Sequence, residues 1–371
     1  MRESHAPNDR PADGAPSSPW VPPSQPEAPI SPSHPPPVPG AQGRSPYPHV
    51  YGAQVPPSRP WTAGPPPGTR YDHLARTPLH RWWRTVFGTL AVAFGYLATS
   101  VIVFLVAGTI AVLAGVQLLR ADLSFTDPTL GLALMLGSIA LTLPVVYGAA
   151  WLFQRRPPGT LSSVAGRIRW RWLLTCVPVA IGAGLVSYAV LAVFYAVTDT
   201  GSAETFGWVG WEAFLAPFLV TLLLVPFQAA AEEYIFRGWL IQAFGAFIRT
   251  PWPGILLGAA GFTALHAYTD WGIIDVFVFG VLMGWLAVRT GGLEAAIALH
   301  VVNNIMGLGI SAASGTLEDA LQQGAVPWET LIGTGVQLVS FTVVVLWLAR
   351  RRNVRTVSPE DTAKAAVSAS A

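Results

Sequence analysis

The chain has 371 residues, 52% of them hydrophobic and 11% charged, with a formal net charge of +2. Soluble globular chains carry roughly 25% charged residues, so this composition excludes an ordinary soluble domain. No basic stripe with interleaved aromatics offers a nucleic-acid surface, and the single Cys176 cannot close an intrachain disulfide.

Residues 1–79 hold 22 of the 33 prolines, in runs such as Pro35-Pro36-Pro37 and Pro65-Pro66-Pro67. Proline fixes φ and lacks a backbone donor, so the stretch is expected to be a disordered, cytoplasmic arm with polyproline II character. Such an arm is a solvated tail or a docking site for a proline-binding domain. No apolar core of a signal peptide precedes residue 85, so the first membrane helix is expected to act as the targeting signal.

Eight apolar runs come after it, near 86–117, 129–153, 172–197, 212–234, 252–269, 272–288, 293–311 and 330–349. The helix of the fourth is expected to continue to about residue 247. A crossing needs about 20 apolar residues, with about 17 as the lower limit. The expectation is an all-α bundle of about eight transmembrane helices over 80–352, ending in a short flexible tail at 353–371.

Loop charge supports the count. Arg76, Arg81 and Arg84 precede the first run, and Arg155, Arg156, Arg167, Arg169 and Arg171 separate the second and third. Arg249, Arg289 and the group Arg350, Arg351, Arg352 and Arg355 occupy every second loop thereafter. The intervening loops carry acids, with Arg120 the lone exception. Positive charge marks the cytoplasmic side, so an even number of crossings with both termini cytoplasmic is expected, in the plasma membrane. Trp82, Trp83, Trp151, Trp172, Trp211, Trp252, Trp271 and Trp347 sit near run ends, where indoles favour the headgroup boundary.

Ionisable groups in hydrocarbon are costly, and here they concentrate in three runs. Glu232, Glu233 and Arg237 lie in the fourth, His266 in the fifth, and His300 with Asn303 and Asn304 in the seventh. Glu233 and Arg237 are four apart and can pair, whereas Glu232 is rotated about 100° away. His300 and Asn304 are also four apart. Counting residues from the turn near 250 puts Glu232 and His266 at one depth. His300 joins them if that hairpin projects about two turns from the bilayer. A buried carboxylate that takes a proton from water, with imidazoles and an amide to orient it or to hold an oxyanion, suggests hydrolysis. Neither a Gly-x-Ser-x-Gly elbow nor an HExxH zinc helix is present. Glu294 and Asp275, near helix starts, are read as dipole partners.

Glu232-Glu233-Tyr234-Ile235-Phe236-Arg237 resembles the EExxxR motif of the CPBP family of intramembrane proteases, which includes the CAAX prenyl endopeptidases and bacteriocin-processing or immunity (Abi-type) proteins. Phe262 to His266 is similar to that family's FxxxH, and His300 to Asn304 to its HxxxN. The resemblance covers about residues 210–310. It implies Glu232 as the catalytic carboxylate, His266 as its partner on the water, His300 with Asn304 as oxyanion stabilisers, and Glu233 with Arg237 as a supporting ion pair. Glu232, His266 and His300 are zinc-ligand types. The resemblance accommodates a metalloprotease and a metal-free glutamate–histidine mechanism alike. It implies an endopeptidase acting on a membrane-associated or hydrophobic peptide. Alternatives are an ion- or proton-coupled transporter and a non-catalytic immunity or scaffold protein.

Overall fold

The computed structural model describes residues 60–198 and 207–360, and most of them are helical. The helices are α1 (Trp82–Leu113), α2 (Pro128–Ala140), α3 (Thr142–Leu152), α4 (Trp170–Thr198), α5 (Trp211–Glu233), α6 (Ile241–Gly245), α7 (Trp252–Ala264), α8 (Trp271–Thr290), α9 (Glu294–Ser314), α10 (Leu317–Gln322) and α11 (Thr330–Arg351). Two three-residue strands, β1 (Tyr268–Asp270) and β2 (Gly324–Val326), pair in parallel. That pair is a small departure from an all-α chain.

Among the described residues, seven stretches are long and apolar enough to cross a membrane: α1, α2–α3, α4, Trp211–Gly245, α8, α9 and α11. Their outward faces carry exposed Phe94, Leu105, Leu185, Leu223 and Val343, as lipid contact requires. The molecule is an integral membrane protein. The expected second span divides at Leu141 into α2 and α3; Pro144, just beyond the break, lacks the donor that would continue the ladder. Asp127 caps α2 by accepting from the backbone N–H groups of Thr129 and Leu130, with Pro128 at the first helical position. The fourth span continues to Gly245, as expected, through a π-helical turn at Tyr234–Leu240.

The fifth run departs most from expectation. Its helix, α7, has 13 residues, which span about 20 Å. The chain leaves the helix at Leu265 because Tyr268 to Asp270 pair instead with β2, more than fifty residues away. His266 therefore sits in a turn beyond the helix end rather than inside a membrane helix.

The arginine-bearing loops meet at one end of the bundle. Val164 N–H donates to Gly291 O, Leu293 N–H to Ser162 O, and Arg169 Nη1 to Arg355 O. Gly291, at φ 72°, ends α8 in the left-handed conformation, and a Cβ there would meet Arg355 O at 2.7 Å. The opposite end gathers the remaining loops through Arg120 with Glu318, Val209 with Ala313, and the β1–β2 pair.

Residues 60–79 are not the disordered arm that proline content suggested; residues 1–59 lie outside the described residues. A short 3-10 turn at Tyr71–His73 buries Tyr71 and Leu74 completely. Tyr71 Oη donates to Leu161 O at 2.6 Å, and Arg76 donates to Gly245 O and Ile248 O, both at 2.7 Å. From residue 68 to 79 only Pro78 is a proline, so this piece has donors and apolar anchors enough to dock. It also holds the start of the expected flexible C-terminal tail: Arg70 bridges Val357, and Ser358 N–H donates to Thr69 O. Residues 361–371 lie outside the described residues. Trp172 also departs from expectation, turning inward to 4% exposure.

Candidate active site

Glu232 and Glu233 are the last residues of α5, and the π turn begins directly after them. Such turns interrupt the regular hydrogen-bond ladder and recur at functional sites. Both glutamates are buried, at 5% and 0% exposure. Arg237, 1% exposed, donates from Nη1 to Glu233 Oε1 at 3.0 Å, so the i,i+4 pair forms across the π turn. Among the described residues, Arg237 Nε and Nη2 have no hydrogen-bond partner. The guanidinium carbon instead lies 4.2 Å from the centre of the Phe262 ring, a cation–π contact.

His300, on α9, has a carboxylate at each ring nitrogen. Nδ1 is 2.8 Å from Glu233 Oε1, and Nε2 is 3.4 Å from Glu232 Oε2. The short contact assigns the Nδ1 proton, since a carboxylate only accepts. The longer one is within ion-pair reach, yet Glu232 Oε2 accepts no hydrogen bond. With the hydrogen on Nδ1, Nε2 of a neutral His300 ring is an acceptor that can share a proton taken up by Glu232. Phe262 and Phe279 meet the His300 ring edge-on, each with centroids 5.6 Å away, and fix its plane. Glu233 is thus more than the partner of Arg237: it orients the imidazole.

His266 places Nδ1 2.8 Å from Phe262 O. A carbonyl cannot donate, so Nδ1 carries the hydrogen and Nε2 of the neutral ring is left as an acceptor. The ring packs against Phe262 at 4.5 Å and lies nearly parallel to Tyr268 at 6.1 Å. Asn304 donates from Nδ2 to Gln228 Oε1 at 3.2 Å, which leaves its second amide hydrogen.

These groups share one cavity of about 590 Å³. Gln228, Glu232, His266, His300, Asn303 and Asn304 form part of its wall. The volume falls within the range of about 300–1,000 Å³ typical of ligand sites. Glu233 and Arg237 stand behind that wall. The turn after α7 brings in His266, and α5 and α9 supply the rest, so the depth count that needed a projecting hairpin is resolved by direct Glu232–His300 contact. The sequence motifs pass over Gln228, although it precedes Glu232 by one helical turn and is polar in an apolar run. Tyr96 of α1, which also lines the cavity, gives no motif to find.

Catalytic zinc takes three protein ligands plus water. Among the described residues, no three His, Cys, Asp or Glu side chains gather as such a set. His300 and His266 each engage Nδ1 with a carboxylate or a carbonyl, which leaves Nε2 of both rings open, as in metal-ligating histidines. As arranged, Glu232, His266 and His300 are not gathered into that set.

Fold and site together define a polytopic membrane protein with a buried carboxylate–imidazole centre. Residues 211–306, which carry the glutamates, the histidines and the amides of that centre, match the family described as Type II CAAX prenyl endopeptidase Rce1-like. The chain is also similar to the uncharacterized protein YyaK of Bacillus subtilis (strain 168), 24% identical over 289 residues, covering 72% of this chain and 93% of YyaK. No solved structure matches.

Proposed function

We propose that the protein is an intramembrane endopeptidase that hydrolyses a peptide bond of a membrane-associated or hydrophobic peptide with an activated water. The observation that carries this reading is the unbonded Oε2 of buried Glu232 on the cavity wall, facing His300 Nε2. The match to a CAAX endopeptidase family over the same residues supports it.

In this reading Glu232 takes the proton of a water held between its carboxylate and His266 Nε2, the bare acceptor. Glu233 keeps the His300 ring in place through Nδ1, and Glu232 with His300 Nε2 holds the proton taken up and passes it to the leaving amine as the C–N bond breaks. The second N–H of Asn304, with Asn303 beside it, serves the region where negative charge develops on the peptide oxygen. General-base catalysis contributes about 100- to 10,000-fold and an oxyanion donor about 100- to 1,000-fold. The arginine-rich end faces the cytoplasm of a plasma membrane, both termini with it, and the proline-rich residues 1–59 present a ligand for a proline-binding domain.

The test compares membrane peptides from cells carrying the native chain and Glu232→Ala at equal levels. A cleavage product present only with the native chain is the expected result. Identical peptide profiles across abundant, folded samples of both would remove the protease reading.

A further inference from the structure

The cavity is sided by charge. Its wall carries three carboxylates, Glu232, Asp275 and Asp319, and neither a lysine nor an arginine among the described residues. The three are graded in depth: Asp319 on α10 is exposed, Asp275 on α8 is half-buried, and Glu232 is 5% exposed. Asp275 is four residues from Phe279, so it stands one turn from the ring that packs on His300. Its Oδ1 is buried and accepts no hydrogen bond, like Glu232 Oε2. Arg237, the cation beside the centre, does not line the cavity and is committed to Glu233 and the Phe262 ring.

A CAAX chain ends in a carboxylate, and a carboxylate drawn into this cavity would meet like charge and no counter-ion. A walled, partly dry cleft of one sign concentrates ligands of the opposite sign. We infer that the cavity selects a peptide bearing a cationic group, a lysine, arginine or free amine, over a chain ending in a free carboxylate, and that Asp275 is the specificity-determining residue. The inference rests on the protease reading for cleavage, but not for binding.

The experiment uses the full chain in lipid nanodiscs and three labelled peptides of one apolar sequence. One ends in lysine amide, one in a neutral amide and one in the free acid. Cleavage is monitored by mass spectrometry and binding by fluorescence anisotropy, for the native chain, Asp275→Asn and the exposed Asp319→Asn. The native chain should favour the lysine amide over the free acid by at least about tenfold, as one close charge pair supports. Asp275→Asn should collapse that ratio, and added salt should shrink it. Asp319→Asn, with its more solvated carboxylate, should lower the ratio less. A free acid handled as well as the lysine amide overturns the charge preference, and an unchanged ratio in Asp275→Asn overturns the role of that residue. Should no peptide be cleaved, the protease reading fails, and the binding ratios still decide the charge preference.

Discussion

Two buried carboxylate sites, at different depths in the same bundle, are built to opposite rules. At the arginine-rich end, Glu294 opens α9 with both oxygens satisfied: Oε1 accepts from Arg169 N–H at 2.9 Å and Nε at 2.8 Å, and Oε2 from Nη2 at 2.6 Å. In the cavity half, Glu232 and Glu233 each keep an oxygen with no hydrogen-bond partner, although both are buried. An unsatisfied buried acceptor costs about 1–3 kcal/mol, more when charged, so these two oxygens are costly to leave unmet. Of these three glutamates, the fully paired Glu294 ties loops together, while Glu232 brings an unpaired oxygen to the cavity wall.

The comparison can be broken from either side. The largest effect is expected from Glu233→Gln, which weakens the hold on Arg237 and on His300 Nδ1 at once. Stability should fall by about 3–5 kcal/mol, as when one partner of a buried pair is lost. Peptide cleavage per folded molecule should fall about 100-fold or more. Thermal melting and cleavage on the same sample check both.

Arg169→Met, at the scaffold site, should cost a similar 3–5 kcal/mol in stability yet leave cleavage per folded molecule near native. The double variant Arg169→Met with Glu294→Leu should recover part of that loss, because no buried charge remains unpaired. A large change in turnover at native stability would erase the distinction between the two sites.

Gly245→Ala probes the docked segment that covers the scaffold end. A Cβ there runs into the backbone oxygen of Asp72, which cannot swing aside as a flexible side chain could. A loss of about 1–3 kcal/mol is expected, confined to the docking of residues 68–80. Limited proteolysis before α1 reads it, and unchanged protection would contradict the packing.

The smallest effect concerns pH. Burial, with help from neighbouring arginines, holds the His73 and His80 imidazoles below their ordinary value, although Asp72 pulls His73 the other way. Released from the bundle, both titrate near about 6.5 and bind more protons than when docked. Docking should therefore weaken as pH falls from about 7 through that range, and be insensitive to pH above it. Amide hydrogen exchange over residues 70–77, corrected for intrinsic rate, should rise between pH 7 and pH 5.

Much of this was legible in the chain because charge and apolar length act locally. The alternating arginines foretold which loops meet, and Glu232, His266, His300 and Asn304 reach one cavity from three separate motifs. What stayed hidden depends on partners distant in sequence. The end of α7 is set by pairing with Gly324 to Val326, which no local pattern around His266 announces. Docking of Tyr71 depends on Leu161 and that of Arg76 on Gly245, and averaging proline content over residues 1–79 concealed the nearly proline-free piece that docks. Glu233 had a visible partner four residues away, and its second contact needed α9 in place.

In the proposed reaction Glu232, not its neighbour, activates the water. Because Glu232 Oε2 accepts no hydrogen bond, Glu232→Gln removes a base while removing little that holds the fold. Turnover of a cleavable peptide by purified Glu232→Gln and Glu233→Gln, each with its melting temperature, tests this most directly. Glu232→Gln should melt near the native temperature with turnover down about 100- to 10,000-fold, while Glu233→Gln loses stability as well. Native-like turnover by Glu232→Gln, beside a stable and inactive Glu233→Gln, would contradict it.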